Sequence, residues 1–182
     1  MTKDKFLEGV NNNDLCHRIL LIEALQLTAG KVIEFGSGHG STPYLRKYCV
    51  ESDREFQSFD NNKEWADATG ATMVPDANWS GLQLTNIDVL FVDHAPGEDR
   101  QVQIEKYKDS AKIIVIHDTE PPADHGYNTR RLYPAFKYWV EVRTNGAWAT
   151  MVSNHIDLSP CVHETKCVNG SNGETYKIVN AK

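Results

Sequence analysis

Acidic and histidine side chains follow two apolar runs of the sequence at the points where those runs end. One run is followed by the pair Asp93 and His94, and the other by the pair His117 and Asp118. Such runs are typical of strands in a sheet that is covered on both faces. An isolated charge is costly to bury, so these side chains must be solvated, paired or bound to a ligand. We therefore take all four as candidate catalytic residues, and His94, His117 or His17 as a candidate base, because imidazole titrates near neutral pH.

A glycine-rich segment, EFGSGHGST at 34–42, joins a predicted strand at Lys31–Phe35 to a predicted helix. Glycines allow a tight turn and a close approach of the backbone to a ligand, and amides at a helix start attract anionic groups. The dinucleotide fingerprint G-x-G-x-x-G requires glycine at position 41, where Ser41 stands. Glu34, two residues before the first glycine, suits an ammonium group better than a pyrophosphate. The segment therefore disfavours a nicotinamide cofactor.

The segment from Glu34 to Gly40 resembles the first motif of class I S-adenosylmethionine-dependent methyltransferases, which is an acidic residue followed by G-x-G-x-G. The likeness extends over roughly Leu15 to Ile156. It implies a small member of bacterial or viral type that binds S-adenosylmethionine. In that family the turn faces the methionine part of the cofactor, with the acidic residue beneath it.

The resemblance also implies which residues contact the cofactor. Asp60, at the end of the second predicted strand, would hold the ribose hydroxyls, and a carboxylate that accepts both of them competes well with water. Asp76 would bind the adenine amine, with Trp79 available to stack on the ring, although Asp76 could equally cap a turn. The full set is Glu34, Gly36, Ser37, Gly38, His39, Gly40, Ser41, Thr42, Asp60, Asn61, Asp76, Trp79 and Asp93.

Two patterns suggest metal ligands. Several oxygen methyltransferases of this class hold Mg²⁺ with an aspartate after the fourth strand and an acidic pair after the fifth, which implies Asp93 and Asp118 as ligands here. His117 departs from that pattern, because magnesium prefers oxygen ligands. The alternative is that the two aspartates orient helix starts or histidines. The spacing Cys161-x-His163-x-x-x-Cys167 offers three zinc-type ligands without a second pair.

The alternation of helical and extended segments predicts an α/β fold, a doubly wound and mostly parallel Rossmann-like sheet of about seven strands with helices on both faces. Asp14 is predicted to N-cap a long helix that Gly30 ends. Asn145-Gly146 predicts a hairpin, and hence antiparallel strands at one edge. Residues 135–140 fit a helix or a strand. We expect one methyltransferase domain over 1–182, with 1–29 as a helical segment over the cofactor cleft and 159–182 as a hairpin-like extension.

The composition indicates which classes of partner the protein can bind. The 182 residues carry a formal charge of -6 and a pI near 5.6, which disfavours nucleic acid because phosphate binding needs a basic face. No apolar run approaches the ~18 residues of a membrane helix, and the N-terminus lacks a signal-type apolar region. We expect a cytoplasmic protein with reduced cysteines, no membrane partner, and a possible homo-oligomer.

These observations favour a methyltransferase that acts on a small polar acceptor, at an oxygen. Two alternatives stay open. The first is a regulatory module that binds the cofactor without acceptor chemistry. The second is an NAD-dependent oxidoreductase, against which Ser41 counts.

Overall fold

The computed structural model describes residues 1–161 and 177–180. One sheet of eight strands runs in the order β3-β2-β1-β4-β5-β7-β6-β8. Its first five strands pair in parallel, and all pairs beyond β5 are antiparallel. The strands are β1 (Lys31–Phe35), β2 (Phe56–Asp60), β3 (Thr72–Met73), β4 (Ile87–Val92), β5 (Ala111–His117), β6 (Tyr138–Arg143), β7 (Trp148–Ser153) and β8 (Lys177–Asn180). The predicted Rossmann-like architecture is confirmed, with one strand more than expected.

Six α-helices accompany the sheet in the described residues. They are α1 (Lys3–Leu7), α2 (Asn12–Leu27), α3 (Thr42–Glu51), α4 (Lys63–Thr69), α5 (Arg100–Tyr107) and α6 (Pro121–Tyr127). The N-cap of α2 is Asn11, whose side chain accepts hydrogen bonds from the backbone N–H groups of Asn13 and Asp14. The prediction of Asp14 as the cap was therefore wrong by one turn, and the helix ends at Leu27, before Gly30.

The apolar side chains form two cores, one on each face of the sheet. Alternate residues of β4 point in opposite directions, so Val89 and Phe91 join α2 in one core. Leu90 and Val92 join α5 in the other. All six residues of β4 are buried, which explains why they are apolar except for Asp88, whose carboxylate is satisfied by the Gly30 N–H and Lys112.

The ambiguous segment at 135–140 becomes a 3₁₀ turn, Arg130–Ala135, followed by β6. The hairpin prediction is confirmed: β6 pairs with β7, and the Thr144 hydroxyl donates to the Ala147 carbonyl across the turn (2.8 Å). Most of the predicted extension at 159–182 lies outside the described residues. The part of that extension at Lys177–Asn180 forms β8, beside β6.

The sheet brings the predicted site residues to one edge. The chain leaves β1 toward β2 and β3 and returns to β4 on the other side of β1, and ligands in such sheets bind at this reversal, beyond the carboxyl ends of the strands. Gly36 follows β1, and Asp93 follows β4. Within the described residues, no helix is long and apolar enough to cross a membrane.

Candidate cofactor and active site

The three glycines of the turn after β1 differ in what surrounds them. Gly36 has a φ of +89°, and a Cβ there would lie 2.5 Å from the backbone of Asp93. A Cβ on Gly40 would lie 2.5 Å from the Asp14 carboxylate of α2. A Cβ on Gly38 would meet nothing within 4 Å. Gly36 and Gly40 therefore allow the chain to pack on itself. The Cα of Gly38 faces open space, while its N–H donates to the Thr42 hydroxyl (2.9 Å) and its carbonyl accepts from the Thr42 N–H (3.1 Å).

Glu34 lies beneath this turn and is fully buried. Its carboxylate accepts hydrogen bonds from the hydroxyls of Ser41 (2.5 Å), Thr42 (2.8 Å) and Ser58 (2.6 Å). Burial raises the pKa of Glu34 to about 7, although these hydroxyls oppose the shift. The side chain therefore braces the turn from inside, and its oxygens do not face the open side where a ligand's ammonium group would lie.

Asp60 ends β2 beside the turn and is 5% exposed. Its Oδ2 accepts from the backbone N–H (2.6 Å) and the hydroxyl (2.9 Å) of Ser37, and its Oδ1 accepts from the Asn62 N–H (2.7 Å). A carboxylate has about four acceptor positions, so one remains for a ligand hydroxyl. Of the neighbouring predicted residues, Asn61 is half-buried and His39 is exposed, with its ring 5.1 Å from that of Trp65.

A cleft of about 850 Å³ opens between the loop after β3 and helix α5. Asp76, Ala77, Val102 and Gln103 line it. Asp76 is exposed there and has a φ of +53°. The cleft has room for a purine ring beside the Asp76 carboxylate, where the resemblance places the adenine.

Trp79 does not fit the role predicted for it. The indole is 1% exposed, stacks on His94 with ring centroids 4.2 Å apart, and lies 5.4 Å from the ring of Phe35. Its Nε1 donates to the Ala95 carbonyl (2.9 Å). Because core side chains already cover the indole, it is a packing residue at the back of the cleft, and it has no free face for adenine.

Arg100 joins the two aspartates that follow β4 and β5. Its Nη2 lies 3.1 Å from Oδ1 of Asp93, and its Nη1 lies 3.3 Å from Oδ2 of Asp118. The guanidinium also donates to the backbone carbonyls of His94 and His117, and Tyr127 lies 4.5 Å over it. The sequence analysis did not identify Arg100 as a site residue, because it belongs to no motif and its partners are separated from it by up to 18 residues in the sequence.

His117 ends β5 between these groups. Its Nδ1 lies 3.1 Å from Oδ1 of Asp93, and its Nε2 lies 3.1 Å from the backbone oxygen of Asn13 in α2. Burial alone would lower the pKa of His117, but the Asp93 charge raises it well above the usual value. Burial alone would raise the pKa of Asp93, but His117 and Arg100 hold it below its usual range. The two side chains form a charged pair at neutral pH.

The other two histidines are buried and neutral. Burial, helped by the Arg100 charge, lowers the pKa of His94 to about 3. Burial and the charge on His117 lower the pKa of His17 well below its usual value. Neither ring nitrogen of either residue has a hydrogen-bond partner among the described residues, although backbone atoms of Gly40 and Ala95 lie close enough to influence the two pKa values.

The predicted magnesium site does not fit these contacts. Asp93, His117 and Asp118 offer donor atoms within 4.8 Å of one another, but Arg100 already pairs with both carboxylates and His117 pairs with Asp93. A divalent cation would have to displace a buried arginine and accept a nitrogen ligand in place of the oxygen that magnesium prefers. We therefore derive no step through magnesium.

Comparison with known proteins assigns the fold. No protein-family model matches the sequence, and no curated protein matches it. Among solved structures, cofactor-bound Rv0187 from MTB has a TM-score of 0.58 at 12% identity, over 85% of this chain and 87% of that one. The SAM-dependent O-methyltransferase TM0748 from Thermotoga maritima has a TM-score of 0.56 at 14% identity, over 75% and 64%. The METTL16 methyltransferase domain has a TM-score of 0.53 at 9% identity, over 78% and 83%. The chain thus has the class I methyltransferase fold that the glycine motif indicated.

Proposed function

We propose that this chain is a S-adenosylmethionine-dependent methyltransferase that methylates a small polar acceptor at an oxygen. The observation that carries the proposal is the meeting of Gly38 and Asp60 at the reversal point of the sheet, with Asp93 and Asp118 beside them. Gly38 leaves open space where other residues carry a side chain, Ser37 bonds the turn to Asp60 (2.6 Å), and Asp60 keeps an acceptor position free. This is the arrangement that a nucleoside with a short polar tail would need.

The residues divide the binding of the cofactor between them. Asp60 accepts a hydrogen bond from a ribose hydroxyl, Asp76 accepts one from the adenine amine, and the backbone at Gly38 lies along the methionine part. Glu34 acts indirectly, by holding Ser41 and Thr42 in place beneath the turn. When bound, S-adenosylmethionine supplies an electrophilic methyl group on a sulfonium.

Asp118 is the group best placed to take the proton of the acceptor hydroxyl. Its side chain is 27% exposed, against 11% for His117. His117 already holds a proton at neutral pH, and His94 is stacked in the core. With S-adenosylmethionine bound, the acceptor oxygen would take its methyl group as the carbon–sulfur bond breaks, Asp118 would take the hydroxyl proton, and S-adenosylhomocysteine would be left. Asp93, held by Arg100 and His117, positions this edge of the site.

The net charge of -6 favours a small acceptor over RNA or DNA, because nucleic-acid binding gains its affinity from positive charge near the phosphates. The small-molecule selectivity would come from α2 and the loops after β4 and β5, which surround the open side of the turn. The two similar structures that are named as methyltransferases do not decide this point, because similarity at 14% identity or less carries only the fold.

Titration calorimetry with S-adenosylmethionine, S-adenosylhomocysteine and NADH tests the first half of the proposal. We expect the first two ligands to bind and NADH not to bind. Asp60→Asn should weaken binding by at least about tenfold, which corresponds to about 1.4 kcal/mol. Asp67→Asn, a change to an exposed aspartate on α4, is the matched control and should leave the affinity unchanged.

Production of S-adenosylhomocysteine with a panel of phenols, sugar alcohols and a short RNA tests the second half. Turnover with a hydroxylated small molecule, reduced at least about a hundredfold in Asp118→Asn, is the expected result. Tight cofactor binding without any turnover would favour the regulatory module instead, and turnover with the RNA alone would overturn the small-acceptor proposal.

A further inference from the structure

A second cluster of donor atoms lies behind the charged edge, between α2 and the end of β5. It consists of the Cys16 thiol and the His17 imidazole of α2 and the His117 imidazole of β5. One sulfur or ring-nitrogen atom from each of the three lies within 4.8 Å of the other two. Cys16 and His17 have no role in the proposed methyl transfer, and His117 takes part only by holding Asp93.

The orientation of His117 favours metal binding by one particular nitrogen. Its Nδ1 is held by the Asp93 carboxylate at 3.1 Å. Its Nε2 points the other way, toward α2, where it and the Cys16 sulfur both approach the backbone oxygen of Asn13, at 3.1 Å and 3.4 Å. A carboxylate that holds one ring nitrogen of a histidine while the other binds zinc is a recurrent arrangement in metal sites.

His17 supplies an independent observation. The residue is 2% exposed, and neither ring nitrogen makes a well-aligned hydrogen bond in the described part of the chain, although the Gly40 backbone lies near enough to act on its pKa as a hydrogen-bond partner. A buried polar group that is poorly satisfied calls for a reason, of which an ion is one. The ring lies against His117, with centroids 4.5 Å apart and planes at 76°, and one of its nitrogens belongs to the same cluster.

We propose that Cys16, His17 and His117 bind one Zn²⁺ ion, with Asp93 orienting His117 from behind. One thiolate and two imidazoles are a donor set that zinc prefers, with a fourth position left for water. Tetrahedral zinc places such donors about 3.3–3.6 Å apart, so atoms that now lie within 4.8 Å of one another need to move by less than about an ångström each. Zinc binding through Nε2 would release the proton that His117 otherwise carries there, while Nδ1–H stays on Asp93. Zn²⁺ with one thiolate carries a net charge of +1, which replaces the charge of His117 and, together with Arg100, balances Asp93 and Asp118.

The ion would tie α2 to the carboxyl end of β5. The residues just before Cys16 in α2 include Asp14, whose carboxylate packs against Gly40 of the glycine turn. Zinc therefore holds the N-terminal helix over the proposed cofactor site, and its binding stabilises the folded chain, because the three donors come together only in that state.

Zinc content and cobalt substitution test the site on the full chain, without reference to activity. The wild-type protein should retain about one zinc per chain after dialysis. The Co²⁺-substituted protein should show the absorption of tetrahedral cobalt and a charge-transfer band from one thiolate. Cys16→Ser should abolish that band, and Cys16→Ser and His17→Gln should each weaken zinc binding, measured by competition with a chelator, more than about tenfold. Asp93→Asn should weaken it about 10- to 100-fold.

Three variants serve as controls. Cys49→Ser removes another buried free thiol, and His155→Gln removes a histidine that contacts Asp109 at the surface. Cys161→Ser breaks the Cys161-x-His163-x-x-x-Cys167 pattern, most of which lies outside the described residues. All three should keep the zinc and the cobalt spectrum of the wild type, and this result also supports the site if Cys16→Ser fails to fold.

Three outcomes would overturn the proposal. They are a wild-type chain that binds neither metal, a cobalt spectrum without a thiolate band, and loss of the metal in Cys161→Ser with retention in Cys16→Ser. The last of these would place the ion at the C-terminal cysteines instead.

Discussion

The guanidinium of Arg100 lies 3.1 Å from the carboxylate of Asp93 at the carboxyl end of the parallel strands. The same guanidinium reaches Asp118, and His117 is a second positive partner for Asp93, so both aspartates that would otherwise be available to a metal are already paired. The proposed active-site edge is therefore balanced by the protein's own charges.

Magnesium should consequently have no specific effect. We expect that Mg²⁺ added to about 10 mM changes the melting temperature no more than sodium chloride of equal ionic strength, because a ligand stabilises a protein only by binding its folded state. Differential scanning fluorimetry checks this expectation. A saturable increase in melting temperature that disappears in Asp118→Asn would show that magnesium displaces Arg100.

Removing the Arg100 guanidinium should strongly lower the stability of the folded chain. In Arg100→Met the Asp93 and Asp118 carboxylates lose their buried partner, and we expect the free energy of unfolding to fall by about 3–5 kcal/mol, as for other broken buried ion pairs. Arg131→Met, which changes an exposed arginine, should alter it by less than about 0.5 kcal/mol. Urea unfolding measures both. Equal effects of the two substitutions would mean that Arg100 does not balance the aspartates.

Glu34 should make stability fall as the pH rises. Its pKa in the folded state is about 7, against an ordinary value of 4.5. Between these two pH values the unfolded chain loses the proton while the folded chain keeps it, so the folded state becomes less stable with increasing pH. From about pH 5 to about pH 8 the wild type should lose roughly 2 kcal/mol more stability than Glu34→Gln, because one pKa unit is worth about 1.4 kcal/mol.

Urea unfolding of the two proteins at both pH values supplies the measurement. The difference between wild type and variant removes the contributions of all other titrating groups. Parallel pH dependence of the two proteins would mean that Glu34 is ionised in the folded state throughout, and that its three hydroxyl partners outweigh its burial.

Two glycine substitutions separate packing from ligand binding. Gly36→Ala combines a positive φ with a contact of 2.5 Å to the Asp93 backbone, and we expect it to destabilise the chain by more than about 2 kcal/mol. Gly38→Ala meets open space, so its stability should stay within about 0.5 kcal/mol of the wild type. The added methyl should nevertheless weaken S-adenosylhomocysteine binding by at least about tenfold.

Calorimetry and urea unfolding on both variants check this pair of expectations. If Gly38→Ala bound the ligand as tightly as the wild type does, the ligand would not approach the turn at Gly38, and the position assigned to the methionine part would be wrong.

Much of the fold was predictable, because its signals are local. Strand β1 has the predicted bounds, Lys31–Phe35. β4 and β5 were visible as apolar runs, since burial on both faces leaves no polar alternation. Only the start of β6 was ambiguous, because residues 135–140 follow Pro134 and show no clear period, whereas Asn145-Gly146 marked the turn at its other end.

The site residues that follow strand ends could be predicted from the sequence. The roles that depend on side-chain packing could not. The strand order places Asp60, Asp93 and Asp118 at one edge. Sequence motifs do not reveal burial. Trp79 is buried and cannot stack on an adenine, and the Glu34 carboxylate points inward to the Ser41 hydroxyl. Arg100 and Cys16 escaped prediction because their partners lie in other elements of the fold.

A crystal structure of the chain with S-adenosylhomocysteine tests the central claim most directly. We expect a ribose hydroxyl within about 2.5–3.0 Å of an Asp60 oxygen and the homocysteine chain along the backbone of Gly38. An ordered nucleoside elsewhere on the molecule, with Asp60 still bonded only to Ser37 and Asn62, would contradict the account.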